Sequence, residues 1–176
     1  INATLEGSDK EQVLFETQDL FSQEKTLEKG ENPIIIKLPK NTILWDEFNP
    51  HIYQLKIEIK NQEENQTVLN YGIRNFATKN NHFEINNQKI FLRGKHDGMI
   101  FPKTGYAPTD VESWLKVMKT AKEYGINHYR FHTCCPPKAA FEAADILGIY
   151  MEPELPFWGT IQGKDEEGFN EAEQNY

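Results

Sequence analysis

The sequence lacks long hydrophobic runs, an excess of basic residues and a set of spaced cysteines. No apolar run approaches the roughly 18 residues of a membrane-spanning helix, so no such helix is predicted. The net charge of −8 at pH 7 argues against nucleic acid or an anionic membrane as a partner. The two cysteines, Cys134 and Cys135, are adjacent, and one strained pair can neither form a disulfide framework nor identify the compartment.

The composition is that of a folded protein. Hydrophobic residues make up 38% of the 176 residues and aromatic residues 12%, which supports a packed core and excludes disorder throughout the chain. The length is a little more than that of one average domain, since domains commonly have about 100–150 residues.

The first half of the chain has the pattern of β-structure. Residues 52–60 alternate strictly, with Tyr53, Leu55, Ile57 and Ile59 on one side and polar residues on the other. Polar turn clusters separate this segment from its neighbours. An antiparallel sandwich of the immunoglobulin type is predicted, and because that fold takes about 100 residues, we expect a strand to be missing at its start. The predicted strands are 1–6, 12–17, 34–38, 52–60 and 66–76.

From about residue 89 the period changes, and strands alternate with helices. Thr109 and Glu112 form a capping box at the start of the first helix, and Gly125 and Gly148 are stop signals. This β-α-β-α-β order predicts a parallel sheet with right-handed crossovers. The predicted elements are a strand at 90–93, a helix from Thr109 to Gly125, a strand at 126–132, a helix from Pro136 or Pro137 with Phe141, Ala144 and Leu147 inward, and a strand at 149–154.

Polar side chains follow each predicted strand of the second half. Ligands bind at the carboxyl ends of parallel strands, so we expect these side chains to meet at one edge of the sheet. The candidate binding residues are His96, Asp97, Arg130, His132, Glu154 and Trp158.

Each candidate also has a structural interpretation. His96 and Asp97 fit an exposed turn equally well, and Arg130 fits a structural ion pair with Glu152 or Glu154. Trp158 is either a sugar-stacking platform or part of the core.

The remaining chemistry of this region is less specific. The combination of His132 with two cysteines hints at a metal, but zinc sites need four spaced donors, so no metal site is predicted. Cys134 as a nucleophile would need a nearby base, and packing suits it better.

Five strings, in order along the chain, resemble segments of glycoside hydrolase family 2, the β-galactosidase and β-glucuronidase group. They span residues 44 to about 160, and residues 1–40 match only as a generic sandwich. The strings are Leu-Trp-Asp-Glu-Phe-Asn-Pro-His-Ile-Tyr at 44–53, Tyr-Gly-Ile-Arg at 71–74, the segment 83–94 that ends in Phe-Leu-Arg-Gly, Gly-Ile-Asn-His-Tyr-Arg at 125–130, and Ala-Asp-Ile-Leu-Gly-Ile-Tyr at 144–150.

The resemblance implies an immunoglobulin-like domain at 1–82, followed by the first β/α units of a (β/α)₈ barrel at 83–176. It also implies that Arg130 and Glu154 match residues that shape the sugar subsite. The strings after Arg93-Gly94 and after Arg130 depart from the family pattern at sugar-contacting positions, so a subgroup acting on another β-glycoside fits as well as a β-galactosidase.

The resemblance further implies retaining hydrolysis of a β-linked sugar by two glutamates, with no cofactor. In the family these follow barrel strands 4 and 7, the first of them in an Asn-Glu pair. Asn170-Glu171 has no hydrophobic strand before it, so no catalytic residue is expected in this chain and both glutamates are expected after Tyr176.

Two other functions remain open from the sequence. One is a non-catalytic carbohydrate-binding module that uses Trp158, Phe157 and Tyr106, and the other is a structural domain that packs on neighbours. A homo-oligomer is compatible with all three hypotheses.

Overall fold

The computed structural model describes residues 2–7, 10–60, 65–157 and 159. The chain divides between Lys89 and Ile90 into two compact units, which we call unit 1 and unit 2. In the described part of the chain, neither helix is long and apolar enough to cross a membrane.

Unit 1 consists of short strands in three sheets. The strand orders are β1-β4, β3-β2-β5-β6 and β7-β8-β9, and each pairing with a defined register is antiparallel. The strands are β1 Asn2–Gly7, β2 Glu11–Thr17, β3 Phe21–Leu27, β4 Gly30–Ile35, β5 Tyr53–Ile59, β6 Gln66–Tyr71, β7 Phe76–Lys79, β8 His82–Ile85 and β9 Gln88–Ile90.

The first two sheets share one hydrophobic core. Val13 and Phe15 of β2 and Leu27 of β3 pack with Ile34 of β4 and with Ile36, all at most 4% exposed. Alternate residues of β2 are buried, as the period of 2 requires. Unit 1 is therefore mostly sheet, with two sheets packed face to face as in a β-sandwich.

Trp45 fixes the long connection between β4 and β5. Its backbone N–H donates to the carbonyl of Ile73 at 2.8 Å, and its carbonyl accepts from the Asn86 amide at 3.0 Å. The Arg74 guanidinium lies 5.0 Å from the centre of the indole ring. A side chain at Gly72 would approach the same ring to 3.1 Å, so a residue without a Cβ fits there.

The predicted strands of unit 1 need correction. The sequence interpretation omitted β3 and the short strands β7, β8 and β9, and its strand at 66–76 ends earlier, at Tyr71. It also began a strand at 34, whereas β4 starts at Gly30. Both β3 and β4 lie at sheet edges, and edge strands carry charged residues or proline that conceal the strand pattern.

Unit 2 alternates strands and helices. The three strands are parallel in the order β10-β11-β12, which confirms the predicted order of elements and their parallel pairing. The elements are β10 Gly94–Asp97, α1 Val111–Glu123, β11 His128–Phe131, α2 Lys138–Leu147 and β12 Tyr150–Pro153.

The core of unit 2 lies between the sheet and the two helices. Trp114 and Met118 of α1 meet Tyr129 and Phe131 of β11, and all four side chains are fully buried. Helix α2 contributes the small residues Ala139, Ala140, Ala143 and Ala144, so the predicted inward position of Phe141 is wrong.

Asn127 joins the starts of the three strands. Its side chain accepts from the Arg93 N–H at 2.7 Å and donates to the Phe91 carbonyl at 3.0 Å. Its own carbonyl accepts from the Tyr150 N–H at 2.8 Å. The residue is 2% exposed, so its amide cannot hydrogen-bond to water. The three bonds to the chain take the place of those lost to water.

The start of α1 also differs from the sequence interpretation. Asp110, rather than Thr109, is the N-cap, and its carboxylate accepts from the Ser113 N–H at 2.8 Å. This hydrogen bond lowers the pKa of Asp110.

Replacing Asp110 by alanine should destabilise unit 2, because the Ser113 N–H then loses its capping acceptor. Chemical denaturation followed by helical circular dichroism measures the loss. Asp110→Asn keeps a capping oxygen and should retain most of the stability. Equal losses in the two variants would show that the cap contributes little.

Candidate functional site

The strand register of unit 2 places selected side chains on one face of the parallel sheet. His96 of β10, Arg130 of β11 and Glu152 of β12 are lateral neighbours. Because side chains alternate along each strand, Lys95 and Asp97 lie on the opposite face. The strand predicted at 90–93 lies at 94–97 in the structure. The polar residues 95–97 are therefore part of the strand, and each faces one side of the sheet.

An ion pair between Arg130 and Glu154 lies at the carboxyl edge of this sheet. Glu154 directly follows β12, and its second carboxylate oxygen accepts from the Thr133 N–H at 2.7 Å. The same oxygen is 3.5 Å from Nδ1 of His132. The side chains of Arg130 and Glu154 are 40% and 26% exposed, so the pair remains accessible to a ligand.

These contacts hold Glu154 in its charged form. The Thr133 N–H, and then the positive charge of Arg130, lower the pKa of Glu154. An ionised carboxylate accepts hydrogen bonds but has no proton to donate at neutral pH. Glu154 is therefore suited to positioning Arg130 or a sugar hydroxyl rather than to acting as a general acid.

The turn after β11 has an uncommon backbone conformation. Thr133 has φ near 51°, and β-branched residues rarely adopt the left-handed region. The turn is anchored on both sides, because His132 N–H donates to the Asp97 carbonyl at 2.8 Å and Glu154 N–H donates to the Cys134 carbonyl at 3.2 Å. Such local strain occurs often at functional sites.

Two imidazoles extend the same cluster. The ring centres of His96 and His132 are 4.9 Å apart, at an angle of 59°. Together with Arg130 and Glu154, they offer both hydrogen-bond donors and acceptors, which is what recognition of sugar hydroxyls requires. The structure thus brings together four of the six candidate residues: His96, Arg130, His132 and Glu154.

Asp97 has a different environment. Its carboxylate contacts the Lys95 ammonium at 2.5 Å and accepts from the Met99 N–H at 2.7 Å, and the residue is 8% exposed. Lys95 also lies 4.8 Å from the centre of the Tyr129 ring. Burial, and then the charge of Asp97, raise the pKa of Tyr129 to about 12. The structure therefore places Asp97 on the helix side, where its carboxylate is buried and its partner Lys95 is partly exposed.

The other predicted residues divide between two groups. Trp158 and the Asn170-Glu171 pair lie outside the described residues. Cys134 and Cys135 are free thiols, and burial followed by the charge of Asp97 raises the pKa of Cys134. A thiol with a raised pKa is a poor nucleophile at neutral pH. In the described part of the chain, no three His, Cys, Asp or Glu side chains are placed to bind a metal ion.

Sequence reasoning missed a histidine–carboxylate contact on the same face. His128 Nε2 lies 3.0 Å from the Glu152 carboxylate. His128 precedes Arg130 by two residues, and Glu152 precedes Glu154 by two. A Cβ at Gly94 would lie 2.9 Å from the His128 ring, so glycine lets the ring sit against β10. The period of 2 that relates His128 to Arg130 was a signal that could have identified His128.

The pKa of Glu154 should report directly on this ion pair. In Arg130→Met the pKa of Glu154 should rise but stay below the ordinary glutamate value, because the Thr133 N–H remains. Since the folded-state pKa is lowered, this interaction stabilises the protein above the unfolded-state pKa and is lost as the pH falls through the folded-state pKa. Carbon NMR of the labelled carboxyl group gives both values.

The control for this titration is Lys138→Met, which removes an exposed cation from α2. An unchanged pKa of Glu154 in Arg130→Met would contradict the ion pair. An equal rise of the Glu154 pKa in both variants would instead show that the effect comes from the net charge of the protein.

The chain resembles segments of proteins named as glycosidases. It is 29% identical over 146 residues to a β-galactosidase of Leuconostoc mesenteroides, covering 80% of this chain and 14% of that protein. It is 34% identical over 137 residues to a β-galactosidase of Staphylococcus xylosus, covering 74% and 13% respectively. A putative β-glucuronidase of Formosa agariphila is 29% identical over 121 residues, covering 67% and 15%. No protein-family model matches the chain.

The solved structures agree with these relatives. A glycosyl hydrolase family 2 member from Bacteroides cellulosilyticus superposes with a TM-score of 0.70 at 22% identity, covering 92% of this chain and 23% of that one. The chain is similar to proteins of glycoside hydrolase family 2. The apo structure of Bacteroides uniformis β-glucuronidase 3 shares the fold, with a TM-score of 0.74 at 23% identity over 99% of this chain and 22% of that chain.

The chain is short compared with these relatives. It spans about a seventh of the length of the three curated proteins named above. Arg130 and Glu154, with the neighbouring His96 and His132, lie within this short segment.

Proposed function

We propose that this chain is part of a retaining β-glycosidase, most similar in activity to the β-galactosidases. Residues 1–82, which make up most of unit 1, form the immunoglobulin-like domain, and residues 83–176 belong to a (β/α)₈ barrel whose first three strands are β10, β11 and β12. Two glutamates that lie outside this sequence carry out the reaction, one as acid and base and the other as nucleophile, about 5–5.5 Å apart as retention requires.

The ion pair at the carboxyl edge of the parallel strands is the observation that carries the proposal. Active sites of (β/α)₈ enzymes lie at this edge, where side chains from several strands converge. The Arg130–Glu154 pair is partly exposed there, and His96 and His132 lie beside it. Relatives that are β-galactosidases and β-glucuronidases support a carbohydrate as the substrate.

In this proposal the residues of the chain bind and orient the sugar. Arg130 donates to sugar hydroxyls, and Glu154 holds the guanidinium in place. His96 and His132 contact the same sugar, and Trp158 supplies a stacking surface. Asp97 does not contact the sugar. Its carboxylate accepts from the Met99 N–H, and this bond fixes the turn that follows β10.

The parent protein, the natural product of the gene that encodes these residues, provides the test. It should release the aglycone from aryl β-glycosides, with a β-galactoside among the substrates, whereas the matched α-galactoside should remain intact. The 176 residues alone should hydrolyse none of them, because both proposed catalytic glutamates are absent.

Two results would contradict the proposal. The first is hydrolysis by the 176 residues alone, since this would place the catalytic groups inside the chain. The second is a parent protein that binds β-glycosides without cleaving any, which would identify a binding module instead.

A further inference from the structure

A surface pocket in unit 1 lies outside the region assigned to the glycosidase site. It forms where the turn between β2 and β3 meets the connection between β4 and β5, and its volume is about 590 Å³. Pockets that bind small molecules commonly have volumes of about 300–1,000 Å³. His51 and Tyr53, which line it, come from the 44–53 string that the proposed function leaves unused.

The aromatic wall of this pocket is rigid. The His51 and Tyr53 rings meet edge to face with centres 4.4 Å apart, and Tyr53 packs at 5.6 Å on Tyr71. The Tyr53 hydroxyl accepts from the Ile43 N–H at 2.8 Å, and the Tyr71 hydroxyl hydrogen-bonds to Thr17 at 3.0 Å. Because these bonds fix the rings before a ligand arrives, binding costs little ordering entropy.

The rest of the lining combines the apolar side chains of Leu20, Ile43 and Ile52 with polar side chains. Gln18, Asp19, Asn41 and Gln54 line the pocket and are exposed. Amide side chains both donate and accept hydrogen bonds, as sugar hydroxyls do. No lysine or arginine is among the described residues that line the pocket, and the Asp19 carboxylate would repel an anionic ligand.

We propose that this pocket, between the β2–β3 turn and residues 51–54, is an accessory binding site for a neutral oligosaccharide. One sugar ring packs against His51 and Tyr53, while the amides of Asn41 and Gln54 hydrogen-bond to its hydroxyls. The Asp19 carboxylate disfavours uronates. The site is independent of the proposed hydrolysis in unit 2.

Titration of the 176-residue chain tests this site. The ligands are cellotetraose and β-1,4-galactotetraose, with a β-1,4-linked mannuronate tetrasaccharide as the anionic comparison. Calorimetry should detect a neutral oligosaccharide and not the mannuronate, and backbone NMR shifts should concentrate at residues 17–20, 41–43 and 51–54. Asn41→Ala and Gln54→Ala should each weaken binding about two- to tenfold, the effect of one lost hydrogen bond.

Two controls separate this site from the glycosidase site. Gln66→Ala removes an exposed glutamine from β6, outside the pocket, and should bind the sugar normally. Arg130→Ala breaks the ion pair of unit 2 and should leave the sugar-induced NMR shifts at residues 17–20, 41–43 and 51–54 unchanged. Loss of binding in Arg130→Ala but not in Gln54→Ala would overturn the accessory site and leave the proposed function intact. Absence of binding by both neutral ligands, or tighter binding of the mannuronate, would also overturn it.

Discussion

Arg130→Ala in the parent protein should lower kcat/KM for a β-glycoside about ten- to a hundredfold, because a hydrogen bond to a charged group contributes about 1.5–3 kcal/mol. Arginine offers a fork of donors that alanine lacks, and its loss also leaves the Glu154 carboxylate without its cation. Steady-state kinetics with an aryl β-galactoside measures the effect. Glu154→Gln should lower kcat/KM as well, since the amide cannot hold the guanidinium as firmly.

The matched controls lie on α2. Lys138→Ala and Glu142→Gln alter an exposed ion pair of the same charge types, 3.3 Å apart, away from the carboxyl edge. Both should leave kcat/KM unchanged. Equal losses in the α2 variants and the edge variants would show that the edge pair has no special role in binding.

Trp114→Ala should destabilise unit 2 by about 3–5 kcal/mol, the usual cost of removing a large buried aromatic side chain. The indole is fully buried, and its ring centre lies 5.5 Å from that of Phe101 and 6.1 Å from that of Phe131. Its N–H donates to the Pro108 carbonyl at 2.7 Å, and this acceptor would lose its partner. Amide hydrogen exchange of β11 and helical circular dichroism during denaturation report the change.

The comparison for this variant is Tyr124→Ala, which removes an aromatic ring that is 84% exposed just after the same helix. Its stability should stay within about 0.5 kcal/mol of the wild type. A loss below about 1 kcal/mol for Trp114→Ala would contradict a tightly packed core.

The sequence identified the architecture of unit 2 because its signals were local. Trp114 and Met118 recur at helical spacing, Gly125 and Gly148 follow the helix ends, and both glycines have positive φ. These features also predicted that polar side chains would converge at one edge. Arg130 and Glu154 meet because β11 and β12 are parallel neighbours, so their carboxyl ends lie at the same edge of the sheet.

The position of β10 could not be predicted in the same way. Residues 90–93 are the more hydrophobic segment, yet Phe91 is 74% exposed and the strand forms at the polar segment 94–97. Pairing with β11 selects this segment, and such tertiary pairing overrides β-propensity. Because residues 94–97 lie within the strand and not after it, the alternation of side chains determines that Asp97 faces the helices while His96 faces the sheet's other side.

The order in which sugar anomers appear tests the central claim most directly. Proton NMR should follow hydrolysis of an aryl β-galactoside by the parent protein, in wild-type form and as Arg130→Ala. We expect the β-anomer to appear first in both, with Arg130→Ala slower by about ten- to a hundredfold. First appearance of the α-anomer, or an unchanged rate in Arg130→Ala, would contradict a retaining glycosidase whose sugar contacts include this edge.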